Sequence, residues 1–398
     1  IEDVISELEI SLLESDVAIE VIDEIKSLAT SIRGKRILHI NSSPAGGGVA
    51  DILESLIPLL NDLEIHAEWR IIRGDSMFFK ITKQLHNALQ GKPVTWEPSM
   101  WSKWREVNER NVMEIDPDYD LIIVHDPQPA AILHFLSKTV GRGRAKWIWR
   151  CHIDLTDAPP DIWGELYGYV RHYDGAEFTL PEFVKHGFSG PRTFISAPAI
   201  DPNNPKNVPL DYHDATDVLT SFGVDPNRPI MAQISRFDLW KNPTGVIDTY
   251  RQVKTKMSGV QLVMIGPTAT DDPEGLLFFE KTARRAGEDV DVHLLSSFNG
   301  ANDLVVNAIQ TRADVIVQNS IREGFGLSVT GSLWHRKPVV ARGVGGIKLQ
   351  VIDGETGFIV NSTDECAKRV LELLHNADLS SKMGNYLPAV DLGSGRTA

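Results

Sequence analysis

The sequence predicts an α/β protein with two doubly wound, Rossmann-like domains facing across a cleft. Three observations predict it. Apolar strand-like runs alternate with helical stretches from Lys35 onward, the alternation occurs as two separate series, and a segment with no period lies between them. That segment, Pro198 to Pro209, carries four prolines and reads as a linker. The chain thus divides into a helical extension (1–34), a first α/β domain (35–200), the linker (201–212) and a second α/β domain (213–398).

Residues 1 to about 29 are helical by period, with Val4, Ile5, Leu8 and Leu12 on one side and then Val17, Val21, Ile25 and Leu28. Ser15-Asp16 is placed to cap the second of these helices. The first series has strand-like runs at 36–40, 65–72, 120–125, 146–151 and 176–180. The second has them at 229–234, 260–265, 291–295, 314–318, 338–341 and 357–360. Such alternation argues for parallel sheets, whose ligands bind outside the carboxyl ends of the strands, here in the cleft between the halves.

Composition narrows the class. The 398 residues suffice for two cores, and 42% hydrophobic with 24% charged residues is ordinary for a globular protein. A net charge of −14 argues against a general nucleic-acid binder, which needs clustered Lys and Arg. No apolar run approaches the roughly 20 residues of a membrane span, and no signal core opens the chain. Cys151 and Cys366 lie far apart, so neither a disulfide framework nor a cysteine metal site is expected. The cytoplasm is the expected compartment. A start at Ile1, and a tail after Gly384 with no further helical period, point to termini that are not native.

The most informative stretch is Val315 to Val360. An apolar strand (Val315 to Val317) ends in a loop with Arg322 and Glu323, and Gly324-Phe325-Gly326 leads into a helix at Leu327. A second strand precedes the glycine loop Gly343 to Gly346. A carboxylate beside glycine-flanked backbone at a helix start can hold hydroxyls and a phosphate together, because free N–H groups and the helix dipole favour anions. That is the chemistry of a nucleotide sugar. Ser235-Arg236-Phe237-Asp238 and Lys241 follow the strand at 229–234, so two fixed cations would face the cleft and steady a leaving pyrophosphate. By themselves they read better as solvated loop charges.

In the first series, Gly46-Gly47-Gly48 follow the first strand and open a helix, either as an anion-binding loop or as a tight βα turn. His152 and Asp154 follow the strand at 146–151, at a carboxyl end, where a functional and a structural histidine are about equally expected. His125-Asp126 and Gln128 end another strand and suit sugar hydroxyls, unless Asp126 caps a helix with Pro127 at its first position. Phe78, Phe79, Trp101 and Trp104 are better read as core than as a stacking platform.

Together these residues resemble glycosyltransferase family 4, retaining enzymes of GT-B fold. The resemblance covers roughly 33 to 385 and is carried by EGFGL (Glu323 to Leu327), by Gly345-Gly346 with Asp353, Gly354, Thr356, Gly357 and Phe358, and by Ser235-Arg236-Phe237 with Lys241. Within the family the chain looks most like the trehalose synthase subfamily. The cues are HINSSPAGGGVA (39–50), LHNALQG (85–91), VHDPQPAA (124–131), WRCHIDL (149–155), DDPEG (271–275) and GGIKLQ (345–350). The first 28 residues also look similar to the helical bundle of signal-recognition GTPases, but no GxxxxGK[ST] loop follows, which excludes a GTPase.

The resemblance implies NDP-glucose plus glucose giving α,α-trehalose plus NDP, reversibly, with UDP-, ADP- or GDP-glucose as donor. No tightly bound cofactor is implied, and no visible motif requires Mg2+. The first domain would serve the acceptor and the second the donor. Arg236 and Lys241 would hold the diphosphate with backbone N–H groups at Gly47, Gly48 and the Gly324-Phe325-Gly326-Leu327 turn. Glu323 would contact donor hydroxyls, His152 would sit near the reacting sugar, and Asp126, Gln128 and Asp154 would bind acceptor. Partners would be small molecules and, through the helical extension, a second copy of the chain.

Two departures from the family pattern stand out. A second glutamate is expected eight positions after Glu323, where it grips the ribose, and Gly331 stands there. Loss of that carboxylate should cost about 1.5–3 kcal/mol of donor binding, and a glycine inside a helix about 1 kcal/mol of stability. The closing helix that crosses back onto the first domain is also missing. These departures keep two alternatives in play: a trehalose phosphorylase, which needs no ribose grip, and a sugar- or nucleotide-binding protein without turnover.

Overall fold

The computed structural model describes residues 19–385 except 117 and 268–271. The Ser15-Asp16 cap and the terminal tail lie outside the described residues, as does Asp271 of the DDPEG cue. Among the described residues no helix is long and apolar enough to cross a membrane.

The chain forms two units. One comprises the chain through Phe178 with Val184–Phe194 and Asp201–Asn203; the other holds Thr179–Phe183, Ile195–Ile200 and the chain from Asn204 onward. In the first unit the order is α1 (Ile19–Thr30), β1 (Arg36–Asn41), α2 (Gly48–Asp62), β2 (His66–Ile71), α3 (Ser76–Leu89), α4 (Pro98–Asn111), β3 (Leu121–His125), α5 (Ile132–Thr139), β4 (Lys146–Cys151), α6 (Pro160–Val170), β5 (Gly175–Phe178) and β6 (Arg192–Ile195). Its sheet runs β2-β1-β3-β4-β5-β6. The second unit follows with α7 (Tyr212–Ser221), β7 (Ile230–Ile234), α8 (Pro243–Lys254), β8 (Gln261–Gly266), α9 (Gly275–Ala286), β9 (Val292–Ser296), α10 (Asp303–Arg312), β10 (Val315–Gln318), α11 (Leu327–Trp334), β11 (Val339–Arg342), α12 (Ile347–Gln350), β12 (Gly357–Val360), α13 (Thr363–His375) and α14 (Ala377–Gly384). Its sheet runs β12-β11-β10-β7-β8-β9.

The predicted strands fall within a residue or two of the observed ones, and the central ones do so because they are apolar runs buried on both faces, unlike the half-exposed edge strand β2. In β7, β8 and β10 every residue is buried. Alternation then sorts their side chains. Ala232, Ile234, Val263 and Ile316 pack with Leu219 of α7, Ile309 of α10 and Val329 of α11. Met231, Leu262, Met264, Val315 and Val317 pack on the other face with Val246 and Tyr250 of α8 and Val370 of α13. Each such aliphatic side chain contributes about 1.5–3 kcal/mol.

Strand β6 was not predicted, since its four residues are largely exposed and carry no apolar signal. Helix α1 forms as expected but buries a different stripe. Ile22 and Ala29 are buried, while Ile25 and Leu28 are exposed; Ala29 packs with Ile37 and Ile65.

The proline-rich segment is no slack tether. Asn307 Nδ2 of α10 donates to the carbonyls of Pro205 and Val208, Gln310 Nε2 donates to Lys206 O, and Trp334 Nε1 donates to Asn207 O. Outside a helix or sheet ladder, these backbone carbonyls are met by side chains from α10 and α11 instead.

Candidate active site

In the second unit, β7 and β10 are neighbours whose connections leave in opposite directions along the sheet, which makes their carboxyl ends a topological switch point. The loops that follow carry Arg236 and Lys241 after β7, and Glu323 after β10.

The β7 loop is built around Asp238, 1% exposed, whose Oδ1 accepts from the N–H groups of Trp240 (2.9 Å) and Lys241 (3.0 Å). Gln233 Nε2 donates to Lys241 O at 2.9 Å, and Asn242 closes the loop in the left-handed region, φ 49°. The backbone of Ile321 donates to Trp240 O at 2.7 Å, which joins this loop to the one after β10. Lys241 Nζ is thereby brought onto Glu323 Oε2, and the same oxygen accepts from Ser320 Oγ at 3.2 Å. Glu323 is 7% exposed and Ser320 fully buried. Removing either partner would leave a buried charge uncompensated.

Arg236 is not the isolated cation that its position suggested. Its guanidinium lies 3.3 Å from Asp272 Oδ2 and 3.5 Å from Asp238 Oδ2. Beside it opens a cavity of about 330 Å3 with Phe237, Pro267, Leu276, Phe279 and Phe298 in its wall. The cavity includes Arg236 but neither Lys241 nor Glu323, so it adjoins the Lys241–Glu323 pair rather than enclosing it.

The two glycine signatures are one structure. A Cβ on Gly345, which has φ 48°, would stand 1.7 Å from Glu323 O, and one on Gly346 would stand 2.6 Å from Phe325 Cα. Gly346 N donates to Gly324 O at 3.2 Å. Gln350 of α12 completes the brace, donating to Phe325 O (2.8 Å) and accepting from Thr330 Oγ1 (2.7 Å). Gly326 turns the chain at φ 94° into α11, and no side chain caps that helix. Its first N–H groups, at Leu327 and after, are therefore an anion-binding end.

Gly331 lies buried inside α11. A Cβ there would meet Gln310 Oε1 at 2.5 Å and Asn207 Oδ1 at 3.5 Å. The space where a side chain at 331 would begin is taken by the carboxamide of Gln310.

In the first unit, Gly46 (φ 81°) and Gly47 lead from β1 into α2, whose N-terminus also lacks a side-chain cap. A Cβ on Gly47 would meet nothing within 4 Å, so packing does not demand glycine there. Asp126 caps no helix, because α5 begins only at Ile132. Its backbone is left-handed, φ 64°, and its Oδ1 accepts from His152 N at 2.8 Å. Such strain in a residue other than glycine collects at functional positions. Asp154, 4% exposed, holds Thr156 N at 2.9 Å. Gln128 Oε1 is buried without a hydrogen-bond partner among the described residues, an acceptor that a sugar hydroxyl would satisfy.

His152 Nε2 lies 2.9 Å from His125 Nδ1, and His125 Nε2 lies 3.0 Å from His39 Nδ1. Burial, with Arg150 adding to it, pushes His152 well below the usual histidine range and His39 to about 4. His125 is driven down by burial first and then by its two neighbours. All three rings are neutral at pH 7. Phe78, Trp101 and Trp104 are core, and Trp101 and Trp104 continue an edge-to-face series to Tyr169.

Sequence reasoning missed Ser320 and Gln310 as site-building residues, and Asp238, His39, Asp272 and Gln350 figured only within motifs. A buried polar residue at a strand end was the one available signal.

Known proteins share this architecture. The family model described as "Trehalose synthase, N-terminal domain" matches residues 39–185, and "Glycosyl transferases group 1" matches 217–389. The chain is 44% identical to the trehalose synthase of Thermococcus litoralis over 367 residues, 92% of this chain and 88% of that protein. It is 25% identical to the trehalose phosphorylase of Grifola frondosa over 409 residues, 90% of this chain but 55% of that one. A solved structure of the trehalose-6-phosphate synthase OtsA superposes with a TM-score of 0.70 at 16% identity, covering 87% of this chain and 93% of that one. The fold is the GT-B arrangement of two α/β domains, and the chain belongs to the trehalose synthase family of glycosyltransferases.

Proposed function

We propose that this protein is a retaining glucosyltransferase that makes α,α-trehalose from a nucleoside diphosphate glucose and free glucose. The observation that carries the reading is the buried Lys241–Glu323 pair at the switch point, beside the uncapped start of α11. Lys241, Arg236 and the N–H groups of Leu327 and Ser328 bind the diphosphate. The base and ribose take the cavity beside Arg236, which is within the size range of ligand sites.

Glu323 holds donor hydroxyls and stabilises the positive charge that develops on the glucose ring. One of its oxygens is engaged by Lys241 and Ser320, which suits an electrostatic role better than attack on carbon. The acceptor hydroxyl forms its bond to C1 on the face from which the phosphate oxygen leaves, and that oxygen takes the hydroxyl proton. His152 orients the reacting sugar, Gln128 accepts from an acceptor hydroxyl, and Asp126 and Asp154 hold that side of the site in shape.

Gly331 favours a second reading, trehalose phosphorolysis, since inorganic phosphate needs no ribose contact. Incubation with glucose and UDP-, ADP- or GDP-glucose separates the two. Trehalose formation supports the proposal; glucose 1-phosphate from trehalose and phosphate, with no trehalose from any donor, replaces it.

A further inference from the structure

The reading above uses His152 and leaves His39 and His125 without a part. The three rings follow from strand geometry. His39 on β1 stands opposite Ile123 of β3, and His125 lies two residues further along the same face; His125 stands opposite Arg150 of β4, and His152 lies two residues beyond that. The rings therefore climb diagonally toward the carboxyl ends of the strands. Their planes are nearly parallel, at 22° and 16°, and their centroids lie 5.3 and 5.2 Å apart, as in rings joined edge to edge through nitrogen. Their nitrogens pair with one another rather than converging, and among the described residues no group of His, Cys, Asp or Glu is arranged to hold a metal.

A neutral imidazole carries one N–H, and each N···N contact takes one proton. His125 uses both nitrogens, so it donates to one neighbour and accepts from the other. Two arrangements satisfy both contacts. Either all three rings carry the proton on Nδ1, or all three carry it on Nε2. In the first, His152 presents Nδ1–H as a donor; in the second, its Nδ1 is a bare acceptor. We propose that His39 and His125 are positioning residues that lock the tautomer of His152, and so decide whether it donates to or accepts from the sugar. Only the kinetic consequence rests on the reading of His152 given above.

Imidazole 15N NMR of the full chain tests this, with single histidine substitutions to assign the rings. The expected result is one shared tautomer for residues 39, 125 and 152. His39→Leu should turn His152 into a mixture and lower kcat for trehalose formation about 10-fold with KM for glucose little changed. His39→Asn, whose amide sits where Nδ1 sat, should restore both. Should His39→Leu fail to fold, His39→Phe carries the same test. Unlike tautomers among the three rings, or a His152 signal unmoved by His39→Leu, would overturn the linkage. A moved signal with unchanged kcat would overturn the positioning role. If the parent protein forms no trehalose, the proposed function fails while the NMR arm still decides the linkage.

Discussion

Gly331→Ala is expected to destabilise this protein, against the usual gain. Replacing an interior helical glycine with alanine ordinarily stabilises by about 1 kcal/mol. Here the added methyl would stand 2.5 Å from Gln310 Oε1, so the carboxamide must move by roughly an ångström to reach ordinary contact. That movement strains or breaks the 2.9 Å bond from Gln310 Nε2 to Lys206 O, within a side chain only 2% exposed. Overpacking and a lost buried hydrogen bond cost about 1–3 kcal/mol each when fully felt. The net expectation is a loss of about 1–2 kcal/mol. In a Gln310→Ala background the obstacle is gone, and Gly331→Ala should then gain its ~1 kcal/mol. The two positions should therefore couple by about 2–3 kcal/mol, read by urea denaturation of the four proteins in the cycle. Equal gains from Gly331→Ala in both backgrounds would refute the argument. The same geometry governs Gly331→Glu, which should improve nucleotide binding only when Gln310 is also shortened.

Lys241→Met leaves the Glu323 carboxylate with the hydrogen bond from Ser320 and should cost about 3 kcal/mol in denaturation; trehalose formation should fall at least about 100-fold, and a smaller fall would remove Lys241 from the diphosphate site. Asp272→Asn relieves Arg236 of an anionic competitor and should tighten ADP or UDP binding by about 1 kcal/mol at low salt, measured by calorimetry; unchanged affinity would show that Asp272 and the diphosphate do not compete. Stability should fall as pH drops from about 6.5 toward 4. His39 is neutral in the folded state down to about 4 while the unfolded chain takes its proton near 6.5, so the unfolded state binds more protons in that window. The single-site contribution is about 3 kcal/mol, so His39→Leu should flatten the acid limb of a stability–pH curve, and an unchanged limb would count against a buried neutral His39.

The central strands were legible because burial on both faces writes itself as an uninterrupted apolar run, and β6 was not because it is largely exposed and offers only Phe194 and Ile195. Glu323, Arg236 and Lys241 were legible as types at strand ends. Their partners were not. Lys241 and Glu323 are 82 residues apart and Arg236 and Asp272 are 36 apart, and which carboxylate meets which cation depends on loops shaped by Asp238 and Gly345. Gly331 shows the same limit most sharply. In the sequence it is a missing carboxylate, a subtraction from nucleotide binding. In the fold it is a volume filled by Gln310 from another helix, so the loss at one position and the side chain at the other are a single feature. Strand order explains why such features gather here. At the β7–β10 junction of the second sheet the connections depart to opposite sides, leaving two loops with room between them, and Ile321 N bonding to Trp240 O holds those loops at the spacing that lets Lys241 reach Glu323.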